Sequence, residues 1–155
     1  MDSEKEFLSS YNKNEYEKPS VAVDLLVFTV KDDRLKIVLV RRSEHPFKDM
    51  LSLPGVFVGI NENLDEAAAR GAREEAGLAD IYFEQLYTWG DIDRDPRMRI
   101  ISVSYLSLTP AEKLTLSAGS RTSSAELYDV EELLSSDEEL AFDHRRIIEY
   151  GRERI

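Results

Sequence analysis

Residues 56–78 read VFVGINENLDEAAARGAREEAGL, and the fold turns on this stretch. Asn63 suits a helix N-cap, and Glu66 stands three residues later, where a capping-box acid belongs. Gly77 fits the left-handed position that closes a helix, so residues 64–76 are expected to form one helix. Arg70 and Glu74 are four apart and share a face, with Glu75 one step round. Two adjacent carboxylates near a helix C-terminus sit at the negative end of its dipole, so a positive group is expected beside them. One reading is a solvated acidic face paired with Arg70 and Arg73. The other is a bound cation, for which hard oxygen ligands suit Mg2+ or Mn2+ bridging to phosphates.

The spacing resembles the Nudix (MutT-like) hydrolase signature: glycine, five residues, glutamate, seven residues, then Arg-Glu-aliphatic-any-Glu-Glu-any-Gly-aliphatic. Glu62, Arg70, Glu74, Glu75, Gly77 and Leu78 fall in register, and Leu53-Pro54-Gly55 is similar to the family's approach to the motif. Three positions depart. Val56 stands for the opening glycine, Ala72 for a larger aliphatic residue, and Gly71 for a glutamate. The last matters most, because the resemblance implies that this glutamate belongs to the carboxylate cluster that holds the metals. Glycine inside a helix also costs about 1 kcal/mol relative to alanine. Close approach of a neighbouring strand is the one folding reason to place it there.

The resemblance covers nearly the whole chain. Arg41 to Phe47, Arg94-Asp95-Pro96-Arg97, and Leu140 to Arg145 are similar to the ADP-ribose branch of the family, which contains pyrophosphatases and transcriptional regulators. It implies an α/β Nudix fold, an α/β/α sandwich around a mixed sheet. It implies Glu74, Glu75 and Glu62 on Mg2+ or Mn2+, Arg70 orienting the helix carboxylates, and Arg42, Phe47, Arg94 and Arg97 on the substrate. The function expected is hydrolysis of a nucleoside diphosphate-linked substrate, foremost ADP-ribose, weakened by Gly71. The alternative is a catalytically inactive ADP-ribose-binding sensor module. With no carboxylate at position 71, a general base has to come from elsewhere; Glu112, Glu126 or an acid on the 110–124 loop could serve. The regulators carry a winged-helix DNA-binding domain after the Nudix domain; none is expected here, where the last helix runs to Ile155, so this domain itself should bind no nucleic acid. A homodimer is expected by resemblance.

Several of these residues also have plainer readings. Arg94 and Arg97 are ordinary solvated turn residues if no phosphate is present, and guanidinium forks for one if it is. Trp89 and Phe47 are core aromatics or adenine stackers. His144 falls on an apolar stripe and is expected to be packed and hydrogen-bonded. With only His45 besides, a histidine metal site is not credible.

The rest of the chain agrees with one domain over residues 1–155, its first nineteen residues a loose arm with a helical turn near Phe7 and Leu8. Val21 to Val30 and Leu35 to Val40 read as strands joined by a hairpin at 31–34. Val21, Val23, Leu25 and Val27 take one face of the first strand and Ala22, Asp24, Leu26 and Phe28 the other, so both faces are expected to be covered. Residues 81–88, 99–108 and a short piece at 126–128 are further strands, and a last helix is expected from Ser136. Thirty-one acids against twenty bases give a net charge of −11, which argues against a general polyanion binder. Cysteine is absent, excluding disulfides and thiolate sites. The longest apolar run is about ten residues, short of the roughly 20 that cross a bilayer, and the N-terminus is no signal peptide, so the cytoplasm is the default.

Overall fold

The computed structural model describes residues 3–155. Strand β1 (Ser20–Lys31) turns through Asp32 and Asp33, both at positive φ (55° and 62°), into β2 (Arg34–Arg42). Two left-handed residues in a two-residue loop match the twist of an antiparallel hairpin. The short strands β3 (Leu51–Ser52) and β4 (Gly55–Phe57) follow, then helix α2 (Leu64–Ala76), β5 (Glu84–Trp89), β6 (Ile100–Leu108), β7 (Thr122–Asp129) and helices α3 (Val130–Ser135) and α4 (His144–Arg154). Helix α1 (Glu4–Ser10) precedes them all and buries no residue. In the arm, the single turn expected near Phe7 is therefore a full short helix, capped by Ser3 Oγ.

The seven strands form one mixed sheet with the path β3-β2-β1-β6-β5, β4 pairing with β1 and β7 with β2. β1 and β6 run parallel at its centre, and the other pairs are antiparallel. The alternation in β1 does what it predicts. Val23, Leu25 and Val27 pack with Ala67, Ala68, Ala72 and Ala76 of α2 on one face. Leu26 and Phe28 pack with Leu51, Leu53, Ile147 and Ile148 on the other, under α3 and α4. The sheet is covered on both sides, the expected α/β/α sandwich.

Helix α2 keeps its expected limits. Glu66 accepts the Asn63 backbone N–H at 2.9 Å, and Gly77 closes the helix at φ 73°, its N–H bonded to Arg73 O. Four of the other expectations change. Residues 51–57, expected as approach and loop, add two short strands to the sheet. β7 spans Thr122–Asp129, longer than the piece expected at 126–128, because seven of its residues register against β2. The strand expected at 81–88 begins only at Glu84. The last helix starts at His144 and not at Ser136: Leu140 bridges to Leu51 and Phe142 adopts a left-handed φ of 53°, neither compatible with a continuing helix. Among the described residues, no helix is long and apolar enough to cross a membrane.

Candidate functional site

A cleft partly open to solvent lies where β1, β4, α2 and the start of α4 meet. The floor is a buried polar network. Asp24 on β1 accepts from Ser102 Oγ at 2.5 Å and faces Arg94 Nη2 at 3.5 Å. Arg94 grips Asp143 with both edges, Nε at 3.0 Å and Nη2 at 2.8 Å. His144 Nδ1 accepts the Leu53 backbone N–H at 3.0 Å, which leaves the proton on Nε2, 3.4 Å from Asp24 Oδ1. Burial pushes the Asp24 carboxyl upward, but His144, Ser102 and Arg94 together hold it below its ordinary value.

The walls carry cations and rings. The Arg42 guanidinium lies 5.0 Å from the Phe142 ring centroid and the Arg97 guanidinium 5.7 Å from the same ring; Arg97 also lies 5.1 Å from Phe57. Both distances to Phe142 suit cation–π attraction. Arg97 is matched by Asp95, taking Oδ1 at 3.1 Å and Oδ2 at 2.8 Å. Arg42 donates to a carbonyl instead, Pro46 O at 2.7 Å, and burial and the nearby Arg97 charge both pull its pKa below the ordinary value. An anion entering between these two arginines relieves that cost.

The acids of α2 divide. Arg70 holds Glu62 through Nε–Oε2 at 2.7 Å and Glu74 through Nη1–Oε1 at 3.0 Å, and it also donates to Phe57 O at 2.7 Å. The Arg70 bond to Glu62, with the Gly59 N–H, lowers the Glu62 carboxyl to about 2. Glu74 is outside the cleft with its side chain 47% exposed. Glu75 alone faces inward, bonded by the Gly55 N–H and 3.9 Å from Arg121 Nε, its carboxyl raised mainly by burial. Glu74 and Glu75, both expected on the metal by resemblance, are thus split, since one helical step of about 100° carries Glu74 off the face that buries Glu75. Among the described residues, no three histidine or acid side chains converge on a point that would hold an ion. The expected Mg2+ or Mn2+ set of Glu62, Glu74 and Glu75 is not assembled by these contacts, and position 71 supplies no side chain to complete it.

Of the expected ligand residues, Arg42, Arg94 and Arg97 meet at the cleft, but Arg94 is locked in its ion pairs with only 4% of its side chain exposed. Phe47 stands behind the wall, edge-on to Phe142 at 4.8 Å. Trp89 is buried elsewhere, donating to Ser104 Oγ. Glu112 and Glu126 are exposed and do not line the cleft. His144 is packed and hydrogen-bonded as expected, and it lines the cleft as well. Sequence reasoning missed Phe142, Arg121, Asp24 and Asp95 as cleft residues. Asp24 left a signal as a carboxylate inside an apolar strand, and Asp95 and Phe142 lie in segments that carry the resemblance, but nothing pointed to Arg121.

The NUDIX domain family matches residues 18–151. Over 155 residues the chain is 33% identical to the ADPR responsive transcriptional repressor NtrR of Acinetobacter baylyi, covering 99% of this chain and 61% of that protein. Over 134 residues it is 39% identical to an ADP-ribose pyrophosphatase of Methanocaldococcus jannaschii, covering 86% and 73%. The NUDIX domain of Shewanella oneidensis NrtR, crystallised with ADP ribose, superposes with a TM-score of 0.89 at 32% identity, covering 99% of both chains. The chain thus spans less than two thirds of the repressor's length. A hydrolase and a ligand-retaining module both accord with these relatives. By sequence match, superposition and the register of its helix motif, the chain belongs to the NUDIX family.

Proposed function

We propose that the cleft binds ADP-ribose and that the domain retains it, with hydrolysis slow or lost. The observation that carries this reading is the contrast between the two sides of the site. Arg42 and Arg97 share one aromatic wall and present two cations to a diphosphate. On the opposite side Arg70 occupies two of the three acids expected to hold a metal. The family's hydrolases work with a divalent metal, but the donor set here does not fit a protein-held ion. Binding is therefore assigned to side chains alone: Arg42 and Arg97 on the phosphates, with Arg94, Asp24 and His144 fixing the floor beneath them. The relatives that act on or bind ADP-ribose support the choice of ligand.

Hydrolysis of the same ligand is the second reading, favoured by Glu75. A buried carboxyl with a raised pKa, facing the cleft, is placed to take a proton from water. Calorimetry with ADP-ribose in EDTA, then with Mg2+ or Mn2+, beside chromatography for AMP, separates the two. Metal-free binding without product is expected. Binding that requires metal, followed by AMP release, would overturn retention in favour of the enzyme. A homodimer, expected from the resemblance, and the cytoplasm, expected from the apolar pattern and the N-terminus, belong to the same proposal, and sedimentation tests the first.

A further inference from the structure

Gly71 faces the sheet from the middle of α2. A β-carbon placed there would stand 3.1 Å from Val56 Cγ2, 3.4 Å from Leu25 Cδ1 and 3.6 Å from Val56 Cγ1. The first contact is tighter than packed methyl groups tolerate without displacement. Val56 is 5% exposed, lies on β4, and lines the cleft. Gly71 precedes Glu75 by four residues, so it falls on the same helix face as the one acid turned toward the cleft. The two departures from the family's pattern at these positions therefore meet in space.

We infer that Val56 and Gly71 form a coupled pair: the Val56 methyl groups fill the volume that a side chain at 71 needs, and Val56 thereby closes the position from which a second carboxylate would join Glu75. Gly71 is then not a lost ligand that one substitution restores. It is the partner that lets α2 lie against a valine. This deepens the retention reading and shares its premise that the helix offers no metal cage, but the coupling itself is independent of which ligand the cleft takes.

The test is a double-mutant cycle on the whole chain, read by thermal melting, with Val56→Ala, Gly71→Ala and both together. In the native background Gly71→Ala is expected to leave the melting temperature unchanged or lower it, despite alanine's better helix propensity. In the Val56→Ala background the same change is expected to raise it. An equal rise in both backgrounds would show the positions independent and sink the proposal. A second arm measures Mn2+ alone by calorimetry on Val56→Ala with and without Gly71→Glu. Tighter Mn2+ binding in the double variant is expected, since an added carboxylate is a hard oxygen ligand of the kind Mn2+ takes. No gain would overturn the closing role given to Val56. Failure of the protein to bind ADP-ribose would remove the retention reading and leave the melting cycle to decide the coupling.

Discussion

His144 Nδ1 accepts the backbone N–H of Leu53 at 3.0 Å, tying the first residue of α4 to the segment that leads into β4. The bond is buried and joins residues 91 apart in sequence. His144→Ala leaves that N–H without a partner and opens a cavity beside Asp24. A loss of about 1–3 kcal/mol from the unpaired donor alone is expected, read as a lower urea midpoint. An unchanged midpoint would show that the bond does not hold α4.

Asp24 sets an acid limit on stability. Its folded carboxyl is held below its ordinary value, so the unfolded chain takes up the proton first. The stability it contributes is present above the ordinary aspartate pKa and is lost as pH falls through the folded one. Asp24→Asn should be less stable at neutral pH, and the gap to the native protein should narrow as pH falls below the ordinary aspartate range. Melting curves across that window check it; a constant gap would assign the network's stability elsewhere.

Glu75 works in the opposite direction. Burial raises its carboxyl, so the charged form costs more in the folded chain than in the unfolded one, and stability is lost as pH rises from the ordinary glutamate value through the raised one. Glu75→Gln should raise the melting temperature at neutral pH, a gain typical of relieving a site kept for function. It also removes a negative charge beside the cleft. Metal-free affinity for ADP-ribose should then rise, by about threefold to tenfold for a charge at this range. A fall in affinity would argue that Glu75 contacts the ligand.

Arg42 and Arg97 should carry the phosphate contacts. Truncating either to alanine is expected to weaken ADP-ribose binding about 10-fold to 100-fold, as for a lost charge-assisted hydrogen bond. Arg42→Lys should recover little, because the planar stack on Phe142 goes with the guanidinium. Titration calorimetry on the three variants gives the comparison, and full recovery by lysine would reduce Arg42 to a point charge.

Arg70 is expected to set the charge state of its neighbours. In Arg70→Ala the Glu62 carboxyl, now at about 2, should return toward the ordinary value of about 4.3. Carbon NMR of the side-chain carboxyls follows this directly. A Glu62 that still titrates near its present value would show that the Gly59 N–H suffices.

The sequence made α2 legible to the residue, because its cap, its stop and its apolar face agree. The two-faced β1 was equally plain, since alternation has one geometric meaning on a sheet buried on both sides. The Arg70 contact to Glu74 followed from spacing, whereas the one to Glu62, which precedes the helix, did not. What stayed hidden depends on contacts distant in sequence. Periodicity places Glu74 and Glu75 side by side but says nothing of which one the strand below will bury. Ser136 has the chemistry of a helix start, yet Leu140 is taken by Leu51 and Phe142 turns left-handed, so the helix waits until His144. Arg121 lies at the end of a polar loop and meets Glu75 only through the fold. The reason for Gly71 lay in Val56, fifteen positions away and invisible to any helix argument.

The single ring of Phe142 beneath two guanidiniums has a final consequence for selectivity. Cations that lean on one shared surface cannot be drawn apart without losing their support, so their separation is fixed before any visitor arrives. A molecule with two linked phosphoryl groups can answer both at once, whereas AMP leaves one unanswered. Discrimination should therefore follow the distance between charges and not their sum, and competition with AMP should be weak even at equal total charge.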